Sequence, residues 1–445
     1  MTSQIKTIVE GRAFSNAMFF CVAGFVLFKR LYRDIGDIFI FLVVLGTIIS
    51  ICHNFRALKK DPIFIAFFAS FLIPIISWAN SKIQIPEFSR ELPNPLFFYD
   101  FFFFWFVAYW TRGGTIRIAV ILFCYCVSVI FIYITNSNDF SRELLLGLKG
   151  ARIDFNVVNA QYTSLFAGFG LIASAFIFIV KVGLSKKLQA IKKSTAFSIS
   201  IFFVVIIIVT QSRQVWLALA ACLFCAPLAN RLIFGSHVRL RAMISAYLVL
   251  ALTTFGAFNV GTVQQRLDSE SEVLSKIANF DLDSVQAFGS VGLRIHLWSE
   301  AWEWIKERPI LGSGEESRQL VIRESATLPE DVRTTFTHLH NSHLETLLSF
   351  GVVGAILVYF LILWPVIYTA IHSNRSAGKT WTAFSFIVVI FWLTVNCFES
   401  YFYSSNGIFV FSVFYGVIYS FRFSKLSEFE NQGLNNRRKK YFCHT

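Results

Sequence analysis

The sequence predicts an all-α integral membrane protein, and three observations carry that reading. Of its 445 residues, 55% are hydrophobic and only 15% are charged. Apolar runs long enough to cross a ~30 Å hydrocarbon core as helix recur along the chain and give about twelve transmembrane helices. One long polar segment, Asn259 to His340, interrupts the series.

In order, the spans centre on Cys21, Leu45, Phe71, Phe103, Cys126, Gly170, Val205, Ala221 and Leu250, and after the polar segment on Gly354, Val389 and Ser412. The spans at Val205 and Ala221 meet around Gln211 to Gln214 and also read as one broken hairpin. The chain therefore divides into residues 1–258 with transmembrane helices 1–9, a large loop at 259–340, transmembrane helices 10–12 at 341–421 and a basic tail at 422–445. No cleavable signal peptide is expected, because Lys29 and Arg30 follow the first apolar stretch where a small-residue cleavage site would stand.

A net charge of +13 invites a nucleic-acid reading. The lysines and arginines instead cluster at helix ends, where anionic cytoplasmic lipid attracts them. Lys186, Lys187, Lys192 and Lys193 share one inside loop, and Arg437, Arg438, Lys439 and Lys440 crowd the tail, so both termini are expected in the cytoplasm. Lys29, Arg30 and Arg33 fall outside in this arrangement and are its one exception. The eight cysteines lie mostly within spans and imply no disulfide framework; Cys222 and Cys225 read as small buried hydrophobes.

The two halves show no visible repeat, which weighs against the paired broken helices of many transporters. The polar segment has 82 residues, 13 of them acidic and 8 basic, and is placed on the non-cytoplasmic face. Within it Leu293, Leu297, Ala301 and Ile305 recur every four residues, predicting an amphipathic helix with Trp298, Trp302 and Trp304 beside the stripe. Pro309 and the Gly312 to Gly314 turn end it. Such a helix would lie along the membrane surface or roof a cavity.

Chemistry concentrates where that segment meets the next span, in FTHLHNSHLETLLSFGVVGAIL from Phe336 to Leu357. Ser342 and Glu345 fit a capping box, which starts a helix at about Asn341 and sets His340 just ahead of it. The positive end of the helix dipole there favours a neutral imidazole, the form a general base requires. Against this stands the reading of His338, His340 and His343 as interfacial polar residues. A zinc site is a third reading, though no cysteine or second cluster supports it.

Arginine is the other informative type. Arg213 is a lone cation between two apolar segments, expected to face a cavity, and Arg294 begins the amphipathic helix of the loop. The planar fork of arginine suits phosphate oxygens, so two of them near a histidine suggest a diphosphate-bearing ligand; taken alone, Arg294 also reads as a solvated-face residue. Arg152 is a weaker candidate of the same kind, and Glu399 a polar neighbour or a plain interfacial carboxylate. No GxxxxGK, HExxH or GxSxG occurs, so nucleotide-driven chemistry is disfavoured and an already activated donor is needed.

TQSR at Thr210 to Arg213, GLR at Gly292 to Arg294 with the following RPILGSG turn, and HLHN at His338 to Asn341 leading into SFGVVG together resemble the O-antigen ligase and polymerase superfamily. These motifs cover about the C-terminal half. The resemblance implies a GT-C-like glycosyltransferase of the bacterial cell inner membrane, with its active site facing the periplasm. Its donor would be a glycan on undecaprenyl diphosphate, and its acceptor the lipid A-core of lipopolysaccharide. It further implies that Arg213 and Arg294, with Arg152 behind them, hold the diphosphate. His340 would activate the acceptor hydroxyl with Asn341 and Glu399 in support, and His338 is the fallback base. By the same resemblance the reaction inverts the anomeric centre and uses no metal and no cofactor. The HLHN form and the single large loop resemble a ligase more than a polymerase; a lipid-linked glycan flippase is the alternative from another class.

Overall fold

The computed structural model describes residues 11–234, 275–276, 279, 289–372 and 376–424. Among them are fifteen α-helices and no strand. The first nine are α1 (Arg12–Phe28), α2 (Arg33–Leu58), α3 (Pro62–Gln84), α4 (Phe103–Thr111), α5 (Thr115–Asn136), α6 (Phe140–Leu148), α7 (Ala160–Ile179), α8 (Lys186–Thr210) and α9 (Arg213–Phe234). The others are α10 (Gly289–Glu307), α11 (Ser317–Arg323), α12 (Glu330–Thr335), α13 (Ser342–His372), α14 (Ser376–Asn396) and α15 (Ser405–Tyr419).

Seven of the described helices are long and apolar enough to cross a membrane: α2, α3, α5, α7, α8, α13, and α15 with the turn after it. Shorter apolar stretches lie in α1, α9 and α14. The chain is thus a multi-pass helical membrane protein. The span expected at Phe103 is the nine-residue α4, only about 14 Å of helix at 1.5 Å per residue. It packs against α15, and the irregular chain leading into it is covered by protein, with Phe98, Phe101 and Phe102 buried. Non-helical backbone at membrane depth survives only with such cover. The span expected at Leu250, the tail from Arg437 to Lys440, and most of the polar segment before Gly289 lie outside the described residues.

The break expected at Gln211 is present: α8 stops there on a left-handed residue (φ 51°) and α9 starts at Arg213. α9 then runs back along α14, with the Cys222 thiol 3.4 Å from the Ile387 carbonyl. At the far end of the bundle Asp61 is buried as the N-cap of α3. It accepts hydrogen bonds from Tyr419 Oη (2.6 Å) and Trp105 Nε1 (3.3 Å), which offset the cost of enclosing a carboxylate.

The predicted amphipathic helix is α10. Leu297, Ala301 and Ile305 are buried against Val321, Ile322, Leu328, Val332, Leu339 and Leu348, so the stripe faces a small core of the polar segment's own, closed by the start of α13. Trp302 is half exposed, whereas Trp298 turns inward and donates to the Leu339 carbonyl at 2.9 Å.

Two motifs read separately in the sequence meet here. α13 is broken at Gly351 (φ 60°, ψ −161°), and the RPILGSG turn supplies the backbone partners the break frees. Val352 N–H donates to the Pro309 carbonyl at 2.8 Å, while Ser313 and Gly314 N–H donate to Leu348 and Ser349 carbonyls at 2.8 and 2.9 Å. Gly312 and Gly351 are glycines because the two backbones touch: a Cβ on Gly351 would stand 2.3 Å from the Ile310 carbonyl carbon.

Candidate active site

The start of α13 differs in detail from a capping box. Asn341 is the cap, its side-chain oxygen accepting from His343 N–H (3.1 Å) and Leu344 N–H (3.2 Å). That frees Ser342 to donate to Asn396 Oδ1 at 2.7 Å and the Glu399 carbonyl at 3.0 Å, and to accept from Phe402 N–H at 3.2 Å. Ser342 thereby staples the α14–α15 turn to the head of α13, which brings Glu399 under the histidines.

His340 Nδ1 lies 3.1 Å from both oxygens of Glu399, whose side chain is only 2% exposed. An ionised carboxylate can only accept, so Nδ1 carries a proton, and in the neutral ring Nε2 offers its lone pair to an incoming group. His340 also adopts a left-handed backbone (φ 53°), a conformation uncommon outside glycine and typical of positions where function over-determines geometry. Burial pushes the Glu399 carboxyl up, but the His340 hydrogen bond and then the neighbouring imidazoles outweigh it and hold the group below the usual carboxylate range.

His338 forms a second, indirect relay. Its Nδ1 is 3.2 Å from Ser400 Oγ, which donates to the fully buried Glu345. Glu345 also accepts from Leu339 N–H at 2.8 Å and faces Arg318 Nη1 at 3.5 Å. The His338 and His340 rings meet edge to face at 4.1 Å between centroids. Burial, and then His340 beside it, push the His338 imidazole down to about 4. His343 belongs to neither relay: it is held between the Leu393 carbonyl (3.0 Å) and the Tyr359 hydroxyl (2.7 Å), a satisfied histidine inside the bundle.

The arginines arrive from three elements. With its amide nitrogen toward Glu399, Gln161 at the start of α7 bridges that carboxylate to Arg294 Nη2, 3.1 Å from the amide oxygen. Arg213 opens α9 beside Gln214, whose amide donates to the Tyr401 hydroxyl; that hydroxyl in turn donates to the Gln161 carbonyl at 3.0 Å. Arg152 is exposed on the strip whose carbonyls at Gly150 and Ala151 receive the Gln211 amide, so it flanks the α8–α9 turn. His338, His340, Asn341, Glu399 and Arg294 are thus brought together, while Arg213 and Arg152 stand at and beside the α8–α9 turn. Sequence reasoning missed Gln161, Ser400 and Arg318, and assigned Glu345 to a cap it does not make.

His338, His340 and Glu399 also offer three ligand atoms within 4.8 Å of one another, a set able to accept a cation. Zinc would need a fourth ligand and displacement of the His340–Glu399 hydrogen bond.

Residues 198–359, rather more than a third of the chain, match the O-antigen ligase family. Arg213, Arg294, His338, His340 and Glu345 fall inside the ligase-family stretch, while Gln161, Glu399 and Ser400 reach the site from outside it. In addition, 93 residues are 32% identical to an uncharacterized protein of Haemophilus influenzae, covering 20% of this chain and 23% of that protein. The shared stretch thus spans less than a quarter of that relative's length.

Proposed function

We propose that the protein is an inverting O-antigen ligase, transferring a glycan from undecaprenyl diphosphate to lipid A-core at the periplasmic face of a bacterial inner membrane. The observation that carries this reading is the His340–Glu399 pair joined through Gln161 to Arg294. His340 Nε2 takes the proton of the acceptor hydroxyl as its oxygen attacks the anomeric carbon. The bond from that carbon to the diphosphate oxygen breaks on the opposite side. Arg213 and Arg294 stabilise the charge growing on the departing diphosphate, and fixed cations in an enclosed site are worth more there than in water. Glu399 holds the Nδ1–H tautomer and stabilises the imidazolium that forms.

Polymerisation of lipid-linked repeats would use the same atoms. Disrupting the gene and resolving surface lipopolysaccharide on a gel separates the two: loss of a ligase leaves bare core with accumulated lipid-linked polymer, and loss of a polymerase leaves core bearing a single repeat. Core that still carries full-length polymer would overturn both.

A further inference from the structure

The three basic residues at the α1–α2 turn, Lys29, Arg30 and Arg33, are the exception to the charge pattern, and they lie at the same end of the bundle as the histidines. Asp37 accounts for two of them, pairing with Lys29 and standing 3.8 Å from Arg33 Nε. Arg33 is 87% exposed and solvated. Arg30 is different: its side chain is partly buried, and among the described residues no carboxylate pairs with it.

Aromatic contacts fix the height of Arg30. Phe25 of α1 packs on Phe409 of α15 with ring centroids 5.7 Å apart, and Phe409 on Phe166 of α7 at 6.5 Å. From this layer toward the site, Arg30 is five residues further along the chain from Phe25, Ser404 five before Phe409, and Tyr162 four before Phe166. At about 1.5 Å per residue the three helices carry the chain the same way toward one level, with Arg30 and Ser404 just past the ends of α1 and α15. Tyr162 neighbours Gln161, the residue between Arg294 and Glu399. Burial and then the like charge of Arg33 work against the Arg30 cation, while the nearby Tyr162 hydroxyl favours it. A guanidinium in such a place stays charged and needs an anion.

We propose that Arg30 binds a phosphate carried on a membrane lipid, namely the diphosphate of the donor as it emerges from the bilayer. Naming the donor rests on the function proposed above. The α1–α2 turn thereby joins the site through Arg30.

The test uses the purified full-length protein in nanodiscs of zwitterionic lipid, and again with anionic phospholipid added. The probe is undecaprenyl diphosphate, with undecaprenol as the phosphate-free control. Arg30→Gln should weaken undecaprenyl diphosphate binding about 10- to 100-fold in both lipids, the range for losing a hydrogen bond to a charged group. Arg33→Gln should bind as wild type. Arg30→Lys, which keeps the charge and protects the fold, should still raise KM for the donor with kcat unchanged. Wild-type affinity in Arg30→Gln would overturn the assignment and leave the rest of the site standing. A loss seen only with anionic phospholipid would make the ligand a phospholipid headgroup and overturn the donor assignment. Failure of the wild-type protein to bind the probe would overturn this proposal together with the proposed function.

Discussion

The Nδ1 atom of His340 stands 3.1 Å from each oxygen of Glu399, so one carboxylate sets both the orientation and the tautomer of the ring. His340→Ala should lower transfer by about 10² to 10⁴, the usual contribution of a general base. Glu399→Gln should lose kcat in the same direction with donor binding kept. His343→Ala should matter far less, since that ring is engaged by Leu393 and Tyr359. Turnover of purified variants with lipid-linked donor checks the order, and wild-type kcat in His340→Ala would remove the base assignment.

Arg213 and Arg294 should resist replacement by lysine. A point charge cannot reproduce a forked contact to a diphosphate, so each Arg→Lys variant should lose about 10- to 100-fold in kcat/KM while inserting normally. Steady-state kinetics beside a thermal unfolding curve separates this from misfolding. Full activity in both would dismantle the clamp.

His338 gives a pH dependence with a definite sign. Its imidazole is held down to about 4, below the ~6.5 of a free histidine. Between those values the unfolded chain binds more protons, so stability falls as pH drops from about 6.5 toward 4 and is unaffected above that window. Glu399, held below the usual carboxylate range, also costs stability on acidification, as pH falls through its folded-state value. His338→Asn should therefore be less acid-sensitive than wild type near pH 5 and equal to it at pH 8, measured as thermal midpoints in detergent. Its rate profile should lose no titration above pH 5.

Chelation tests the cation-binding capacity of His338, His340 and Glu399 directly. With the His340–Glu399 hydrogen bond as the working state, dialysis against a strong chelator should leave turnover unchanged. Activity lost to the chelator and restored by zinc would assign these residues as ligands instead.

Gly351→Ala should destabilise the fold. Its positive φ costs an L-residue about 1 to 3 kcal/mol, and the added carbon meets the Ile310 carbonyl rather than a yielding side chain. A lower unfolding midpoint should result, and a wild-type midpoint would show that the crossing relaxes freely.

Much of the fold was legible because hydropathy is a long-range pattern: ten of the twelve expected centres, from Cys21 to Ser412, fall in the longer described helices, with Phe103 in the short α4 and Leu250 outside the described residues. Phe103 was misleading because an apolar run reports burial and not length of helix. His340 and Asn341 were legible because they sit beside a sharp polar-to-apolar boundary. Glu345 was visible but misassigned, since S-x-x-E spacing cannot show that Asn341 takes the cap and frees the carboxylate for Ser400 and Arg318. Gln161 was invisible: it is neutral, distant in sequence, and acquires meaning only when α7 brings it between Arg294 and Glu399.

The interruption at Gly351 is bridged on both sides by the turn that follows α10, through Leu348 and Ser349 before it and Val352 after it. The nine residues from Ser342 to Phe350 are tied at Leu348 and Ser349 to the turn that follows α10, whereas Glu399 hangs from the α14–α15 connection. The imidazole and its carboxylate therefore arrive on different segments, joined on the near side by the hydroxyl of Ser342. The aim of His340 therefore rests on contacts between segments far apart in the chain, and not on either residue alone.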